Sequence, residues 1–567
     1  MQAIAQDVGH ILGSRDQYVI PRFQRYYEWE SANRERLWND IVTTAFDSEG
    51  PASHFFGSIV AIPTPHQMGQ VTPYLVIDGQ QRLTTVSLLL VALRDIAEER
   101  GFKAEAEKIE DLYLIHKHER DADRFRLLLR HSDRGMYVGL LERKPLSADS
   151  NLHEAYLYLR QVASAELDEQ PDPLVALQTI VQAATSRLNV VSITLADENP
   201  FEIFKSLNST GLPLAEADLI RNHVFMNIPL EESAQAKFEQ DFWAPFERTL
   251  RHQNLDSTLF YRHYLMRDGK YVKEDEAYRA FESEWSATKP KPEEKLREME
   301  WFAQVYRNLL GIDKAQPGAF LANLAQPIGV LRRLGVTTAF PLALNLASRL
   351  KAGAVDGAEF SRAIWAINSF VLRRYVCQES SRAYSRWFVA GIPRQGDPVF
   401  ATLAGFLKGK GWPTDARFCE ALRTFGLYAG DSSPYARELL SQIVRATEPK
   451  DESVNLDGCE IEHVLPQSIS TGNPDGDDWI QVLGGEGWEQ AQWRVLNTLG
   501  NLTLVGRAYN RSVRNSRFGV KKPELEKSIV ALNRYFSGVD RWGEREILDR
   551  TAALSATVSK VFPPPLP

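Results

Sequence analysis

Strand-like runs in this chain fall near its two ends, and residues 226 to about 445 between them read almost wholly as helix. That segregation constrains the fold more than any single motif. A first region that mixes strands with helices, a helical middle and a changed C-terminal region give a multidomain α+β expectation, and 567 residues leave room for about three or four domains. The expected division is 1–225, 226–445 and 446–567, with "TKPKPEEK", "AQPGAF" and "GIPRQGDP" punctuating the helical middle.

In the N-terminal region, "YVIPRF" (18–23), "HFFGSIVAIP" (54–63), "YLVIDG" (74–79) and "LNVVSITLA" (188–196) predict strands. Apolar spacing predicts helices over 32–46 and 81–100. A dense polar cluster falls where a strand becomes a helix, in "VIDGQQRLTT" (76–85). A helix start carries unpaired backbone N–H groups and the positive end of the helix dipole, which suits a phosphate. Gly79 permits a tight turn, and Arg82 can fork onto phosphate oxygens. Thr84 and Thr85 can cap the helix or donate to an anion, and Asp78 can hold Arg82 or help bind magnesium. The same residues also read as a capped helix with an Asp–Arg pair and no ligand, since the Gly-rich run and Lys of a Walker loop are absent.

Three further stretches accompany this cluster. "IPRFQRYYEWE" (20–30) holds Pro21, Gln24, Arg25, Tyr27 and Trp29; "FFGSIV" spans 55–60. "FEIFKSLNSTGLPLAEADLIRNHVF" (201–225) holds Phe204, Asn208, Gly211, Leu214, Asp218, Leu219 and Asn222. In this order, with "DGQQR", they resemble the domain of unknown function 262 over roughly residues 8–230. The resemblance implies a ParB/sulfiredoxin-like core that binds and often hydrolyses an NTP (GTP, ATP, UTP or CTP). It implies Asp78, Gly79, Gln80, Gln81, Arg82 and Thr84 at the nucleotide, and the segment with Pro21, Gln24, Arg25, Tyr27 and Trp29 near a surface that senses modified DNA. On chemistry alone, Asn208 to Gly211 is a turn and "LAEADLIRN" opens a helix, so Asn208, Asp218 and Asn222 stay open between structural and ligand roles. The basic run Arg124–Arg134 is a phosphate contact or a solvated face.

The C-terminal region carries "EIEHVLPQS", then Asn501 in "LGNLTLV", then Asn510 nine positions on. Hydrolysing a phosphodiester needs an activated water and a cation on the phosphate. A histidine such as His463 can act as base at neutral pH, and Glu462 and Asn510 offer the hard oxygens that Mg²⁺ or Mn²⁺ prefers. Asn501 can clamp the connecting loop so that His463 faces the substrate. This order fits a ββα-metal fold. Glu462-His463-Val464-Leu465-Pro466-Gln467, Leu499 to Leu504, Asn510 and "FGVKK" (518–522) resemble HNH nucleases, specifically the domain of unknown function 1524. The resemblance implies His463 and Asn501 as catalytic residues, and Glu462 and Asn510 as metal ligands.

The formal net charge of −8 gives no global field that would draw nucleic acid, so any DNA surface is local. Residues 490–530 supply one, with an excess of six positive charges. Arg507, Arg511, Arg514, Lys521 and Lys522 are its expected phosphate contacts. Three scattered cysteines argue against a disulfide framework and suit a reducing cytoplasm. No membrane span or secretory leader is expected.

Together the motifs resemble GmrSD-type IV restriction enzymes and the related SspE-type phosphorothioation-sensing nucleases. The expectation is an NTP-regulated endonuclease acting on double-stranded DNA, modified phage DNA above all. Its mark is a glucosylated hydroxymethylcytosine, another base mark or a backbone phosphorothioate, and a homodimer is left open. The alternatives are a DNA-binding NTP switch that does not cut, and an RNA-cleaving toxin.

Overall fold

A computed structural model of the chain describes residues 2–22, 24–47, 52–64, 71–144, 150–195, 215–229, 232–312, 324–428, 433–448, 454–506, 513 and 515–564. The protein is a mixed α+β chain, 64% helical with 9% strand. It divides into two compact units: Met1–Ala244 with Phe281–Glu294, and Pro245–Ala280 with Lys295–Pro567.

The first unit holds a mixed six-stranded sheet: β1 (Gln2–Asp7), β2 (Gln17–Val19), β3 (His54–Pro63), β4 (Pro73–Asp78), β5 (Leu127–Leu128) and β6 (Leu188–Thr194), in the order β1-β6-β3-β4-β2-β5. β4 is interior, antiparallel to β3 and parallel to β2. The strand expected over 18–23 stops at Val19, ahead of Pro21, which has no N–H for a ladder. β1 and β5 were not expected from the sequence.

The helix Gln80–Glu99 starts one residue before its apolar spacing predicts. Leu88 to Leu93 are all fully buried, and a helix apolar all round belongs in a core. Each such Leu or Val contributes about 1.5–3 kcal/mol relative to exposure. Arg94, at 0% exposure, is tolerated there because its guanidinium pairs with Asp95 and Glu110 and donates to the Leu140 and Leu141 carbonyls. The core therefore fixes where this helix begins.

In the second unit, the helix Gly357–Val376 buries Arg373, which donates to the Phe562 and Pro413 carbonyls and to Asp415. Ser369 donates to the Pro563 carbonyl, so the start of the "FPPPLP" segment is held. β7 (Cys459–His463) and β8 (Leu502–Gly506) form an antiparallel ribbon that pairs Glu462 with Thr503 and His463 with Leu502. Helices Pro474–Val482 and Trp488–Val495 lie between the strands in sequence, and Phe518–Glu526 and Glu544–Val561 follow them. Trp479, Phe518, Phe536 and Trp542 anchor the core of this region. Gly500 is required: a Cβ there would run into the Ile547 carbonyl. The three cysteines are free thiols. Among the described residues no helix is long and apolar enough to cross a membrane.

Candidate active site

β7 delivers Glu462 and His463 to the end of the ribbon, each 7% exposed. Asn501, at 0% exposure, spans the turn that follows. Its Oδ1 accepts from the Leu465 amide at 2.7 Å and from Trp542 Nε1 at 3.2 Å. Its Nδ2 donates to the Leu465 and Leu496 carbonyls at 3.0 and 2.8 Å, and its own carbonyl accepts from the Val464 amide at 3.0 Å. Both polar atoms of the side chain are in use, so Asn501 holds the turn behind His463 and has nothing left for a substrate.

His463 Nε2 lies 3.0 Å from Asn497 Oδ1. That oxygen has no hydrogen to give, so Nε2–H donates and Nδ1 carries the lone pair. Gln467 Nε2 stands 3.3 Å from Nδ1, and the Tyr428 ring meets the imidazole edge-on at 4.7 Å. Burial lowers the His463 pKa from its ordinary value; the Asn497 bond works against that, and the Lys521 charge adds to it. A neutral imidazole with an available Nδ1 is the form a general base requires.

Glu462 Oε1 accepts from Lys521 Nζ at 2.6 Å, and the same ammonium donates to the His463 carbonyl at 2.9 Å. Burial pushes the Glu462 carboxyl up and the Lys521 ammonium down, and their attraction opposes both shifts. Burial is the larger effect on each partner, so both directions stand. Lys521 was expected on a DNA-facing patch; at 0% exposure it is instead internal. Lys522 keeps 21% of its side chain exposed and pairs with Asp540 at 2.8 Å. Asn510, Arg507, Arg511 and Arg514 lie outside the described residues.

Asn497 and Tyr428 carried no signal in the sequence reading, and Tyr428 lies 35 positions before His463 in the helical middle region. Gln467 stood in the quoted motif without a role. A cation would find one hard oxygen here, Glu462 Oε2, since Lys521 takes Oε1 and no described hydrogen bond takes the other. Among the described residues no cluster of three His, Cys, Asp or Glu side chains stands ready for a metal. One carboxylate oxygen is a partial donor set for a hard cation, so the described residues alone do not make a metal site here.

In the first unit, β4 ends at Asp78 and Gly79 turns the chain at a φ of 91°. A Cβ at Gly79 would stand 2.9 Å from the Ser58 carbonyl. No side chain caps the helix start. Arg82 Nη1 donates to Ser58 O at 2.9 Å and lies 3.9 Å from the Asp78 carboxylate. A Cβ on Gly57 would come 3.0 Å from that guanidinium, so "FFGSIV" and "DGQQR" meet there. Asp78 and Arg82 keep 28% and 29% of their side chains exposed. Gln80 is buried, and its Oε1 has no partner in the structure. Uncapped amides, a reachable guanidinium and an orphan acceptor fit a ligand that is anionic and also carries donors, as a nucleotide is and does.

The aromatic segment backs this junction. Gln81 Nε2 donates to Tyr26 O at 2.9 Å, and its Oε1 accepts from the Glu28 amide at 3.0 Å. Gln24 Nε2 donates to Ile77 O at 2.8 Å, and the Tyr27 and Thr85 hydroxyls lie 3.0 Å apart. Gln81 ties the 26–28 segment to the helix with one amide hydrogen and its oxygen, and Thr84 is buried. Pro21, Gln24 and Tyr27 are buried too, and the polar atoms of Gln24 and Tyr27 support the junction. Trp29 is half-buried, edge-on to Phe56 at 6.3 Å, and Arg25 pairs with Glu28 at 3.2 Å.

The helix Glu216–Met226 carries Asp218, Arg221 and Asn222; Arg221 donates to the Arg22 carbonyl at 3.0 Å. Burial raises the Asp218 carboxyl, against the pull of Arg25 and Arg221. Glu239 gathers Arg22, Arg130 and Arg221 at 2.7, 3.3 and 3.4 Å. The basic run 124–134 is thus neither a phosphate contact nor a solvated face at Arg126 and Arg130, which are both buried. Phe204, Asn208, Gly211 and Leu214 lie outside the described residues.

The motifs that sit far apart in the sequence therefore pack into one junction in the first unit, and an acid–His strand with an Asn lock stands in the second. No curated protein matches the chain. Residues 8–225 match the family described as "GmrSD restriction endonuclease, N-terminal domain", and residues 412–557 match "GmrSD restriction endonucleases, C-terminal domain". The second match begins ahead of Tyr428, so it takes in that residue along with the His463 ribbon. Two halves of one enzyme family, matched in order over well over half of the chain, place this protein in the GmrSD-type restriction endonuclease family.

Proposed function

We propose that the chain is an NTP-regulated, modification-dependent DNA endonuclease whose cutting site is an HNH-type ββα-metal centre. The observation that carries this reading is the His463 geometry: Nε2–H is committed to Asn497, Asn501 locks the turn, and Nδ1 is left as the base. In the reaction, His463 Nδ1 takes the proton of the attacking water. Gln467, weakly held at 3.3 Å, gives way to that water. Asn501 keeps the imidazole aimed, and Lys521 holds the Glu462 carboxylate in place. Glu462 and Asn510 would hold a Mg²⁺ or Mn²⁺ ion, which supplies charge stabilisation at the phosphate. In this reading Arg507, Arg511, Arg514 and Lys522 are the residues that contact DNA phosphates.

The region 1–225 is read as a ParB/sulfiredoxin-like NTP domain. Asp78, Gly79, Gln80 and Arg82 contact the nucleotide there, and Trp29 and Arg25 are the members of the aromatic segment left near its surface. Region 226–445 transmits the state and 446–567 cuts. His463→Ala should lower Mg²⁺-dependent cleavage of modified DNA by roughly 10²–10⁴-fold while NTP hydrolysis survives. Cleavage at the parent rate by that variant refutes the assignment.

A further inference from the structure

The helix Trp488–Val495 lies against the loop that follows His463. Gln492 Nε2 donates to the Pro466 carbonyl at 2.7 Å, and Asn497, just past the helix end, accepts from His463 Nε2. Trp493 on this helix is 83% exposed, the most open large apolar side chain among the described residues. Single exposed apolar residues are common, so position must carry the argument.

The chain stays in helical conformation through Leu496. Trp493 and Asn497, four apart, therefore share one side of it, about 6 Å apart along the axis. Successive nucleotides of a strand advance about 3.4 Å. A phosphate presented to His463 thus brings a base within one or two steps of the indole. Arg494 is committed to a bidentate pair with Glu544 at 2.7 and 2.9 Å, and Gln492 to the loop carbonyls. What this helix end offers a strand is an aromatic face and not a charge.

We propose that Trp493 stacks on a nucleobase of the DNA strand held at His463, beside the scissile phosphate. The proposal rests on the HNH reading of His463. Every base has a π-face, so such a contact is tolerant of sequence. It would set where along the strand the phosphate stops without choosing which sequence is cut.

The test is anisotropy titration of a fluorescein-labelled single strand across a salt series, without divalent ion, for the parent, Trp493→Ala and Trp493→Phe. Trp493→Ala should raise the Kd about 5- to 150-fold, and Trp493→Phe should keep most of the affinity. The log–log salt slope should not change, because no phosphate contact is lost. A Kd for Trp493→Ala within about twofold of the parent overturns the proposal. So does a slope reduced by about one unit, which would mean a backbone contact, and so does a change in sedimentation, which would make the indole a self-association contact. The His463→Ala cleavage assay separates the two ideas: undiminished cutting by that variant rejects the HNH reading, whereas an unchanged Kd on Trp493→Ala with a dead His463→Ala rejects only the stacking contact.

Discussion

Replacing Lys521 with methionine keeps the length of the side chain and removes its charge. Lys521 is fully buried, and its ammonium is 2.6 Å from Glu462 Oε1. Its removal strands a carboxylate that is only 9% exposed at the side chain. Breaking a buried pair from one side costs about 3–5 kcal/mol. Glu462 has an escape, since it can take a proton. From an unfolded pKa of about 4.3, protonation at pH 7 costs about 3.7 kcal/mol, which caps the loss; at pH 5 the cap is about 1 kcal/mol. The sign follows from linkage. In the variant the folded-state pKa of Glu462 is raised further above its unfolded value, so the folded form binds more protons and stability falls as pH rises from about 4.3. The deficit should therefore grow from roughly pH 5 to pH 7. Native-state hydrogen exchange at the β7 and β8 amides reads this local stability. Replacing both partners, Glu462→Leu with Lys521→Met, should recover most of it, because an apolar pair leaves no stranded charge. Equal deficits at both pH values, or no deficit, would refute the argument that a buried ion pair holds this strand end.

Two other outcomes are expected. Burial holds the His463 imidazole below its ordinary value, so the acid limb of the pH–cleavage profile should fall below about pH 6.5; a limb at or above that value in single-turnover kinetics contradicts the buried, neutral base. Arg82→Ala removes a charge-assisted contact worth about 1.5–3 kcal/mol, so calorimetric NTP affinity should drop by about 10- to 150-fold. Folded parent protein that binds no NTP with Mg²⁺ present, with or without DNA, would leave "DGQQR" as a helix start alone.

Local chemistry made parts of this molecule legible. The "DGQQR" junction could be read to within a residue because a strand, a glycine and an apolar helix each declare themselves over a few positions. The order of His463 and Asn501 could be read because one short ribbon joins them. What was hidden depends on the third dimension. Lys521 stands in a run of basic residues, and a charge count does not reveal that its side chain turns inward to Glu462. Tyr428 reaches His463 across a long stretch of chain that carries no pattern linking them. β1 is an edge strand that exposes its first four residues, Ile4 among them, and β5 is two residues long, so neither shows an apolar-in, polar-out alternation. Gln24 and Tyr27 look like surface chemistry in the sequence, and only the backbone of Ile77 and the hydroxyl of Thr85 give them an interior role.

The bonds from Arg373 and Ser369 to the Phe562 and Pro563 carbonyls span 189 and 194 residues. During synthesis, Arg373 and Ser369 can make these two bonds only once Phe562 and Pro563 have left the ribosome. The first unit uses no residue beyond Glu294, so its chain is complete much earlier. Domains fold as units in the order they emerge. In a chain built this way the first unit can be folded before the second is finished, and a product that terminates short of Phe562 lacks two of the bonds that hold the helix Gly357–Val376. Premature termination would thus leave a marginal second unit on a chain whose first unit is intact.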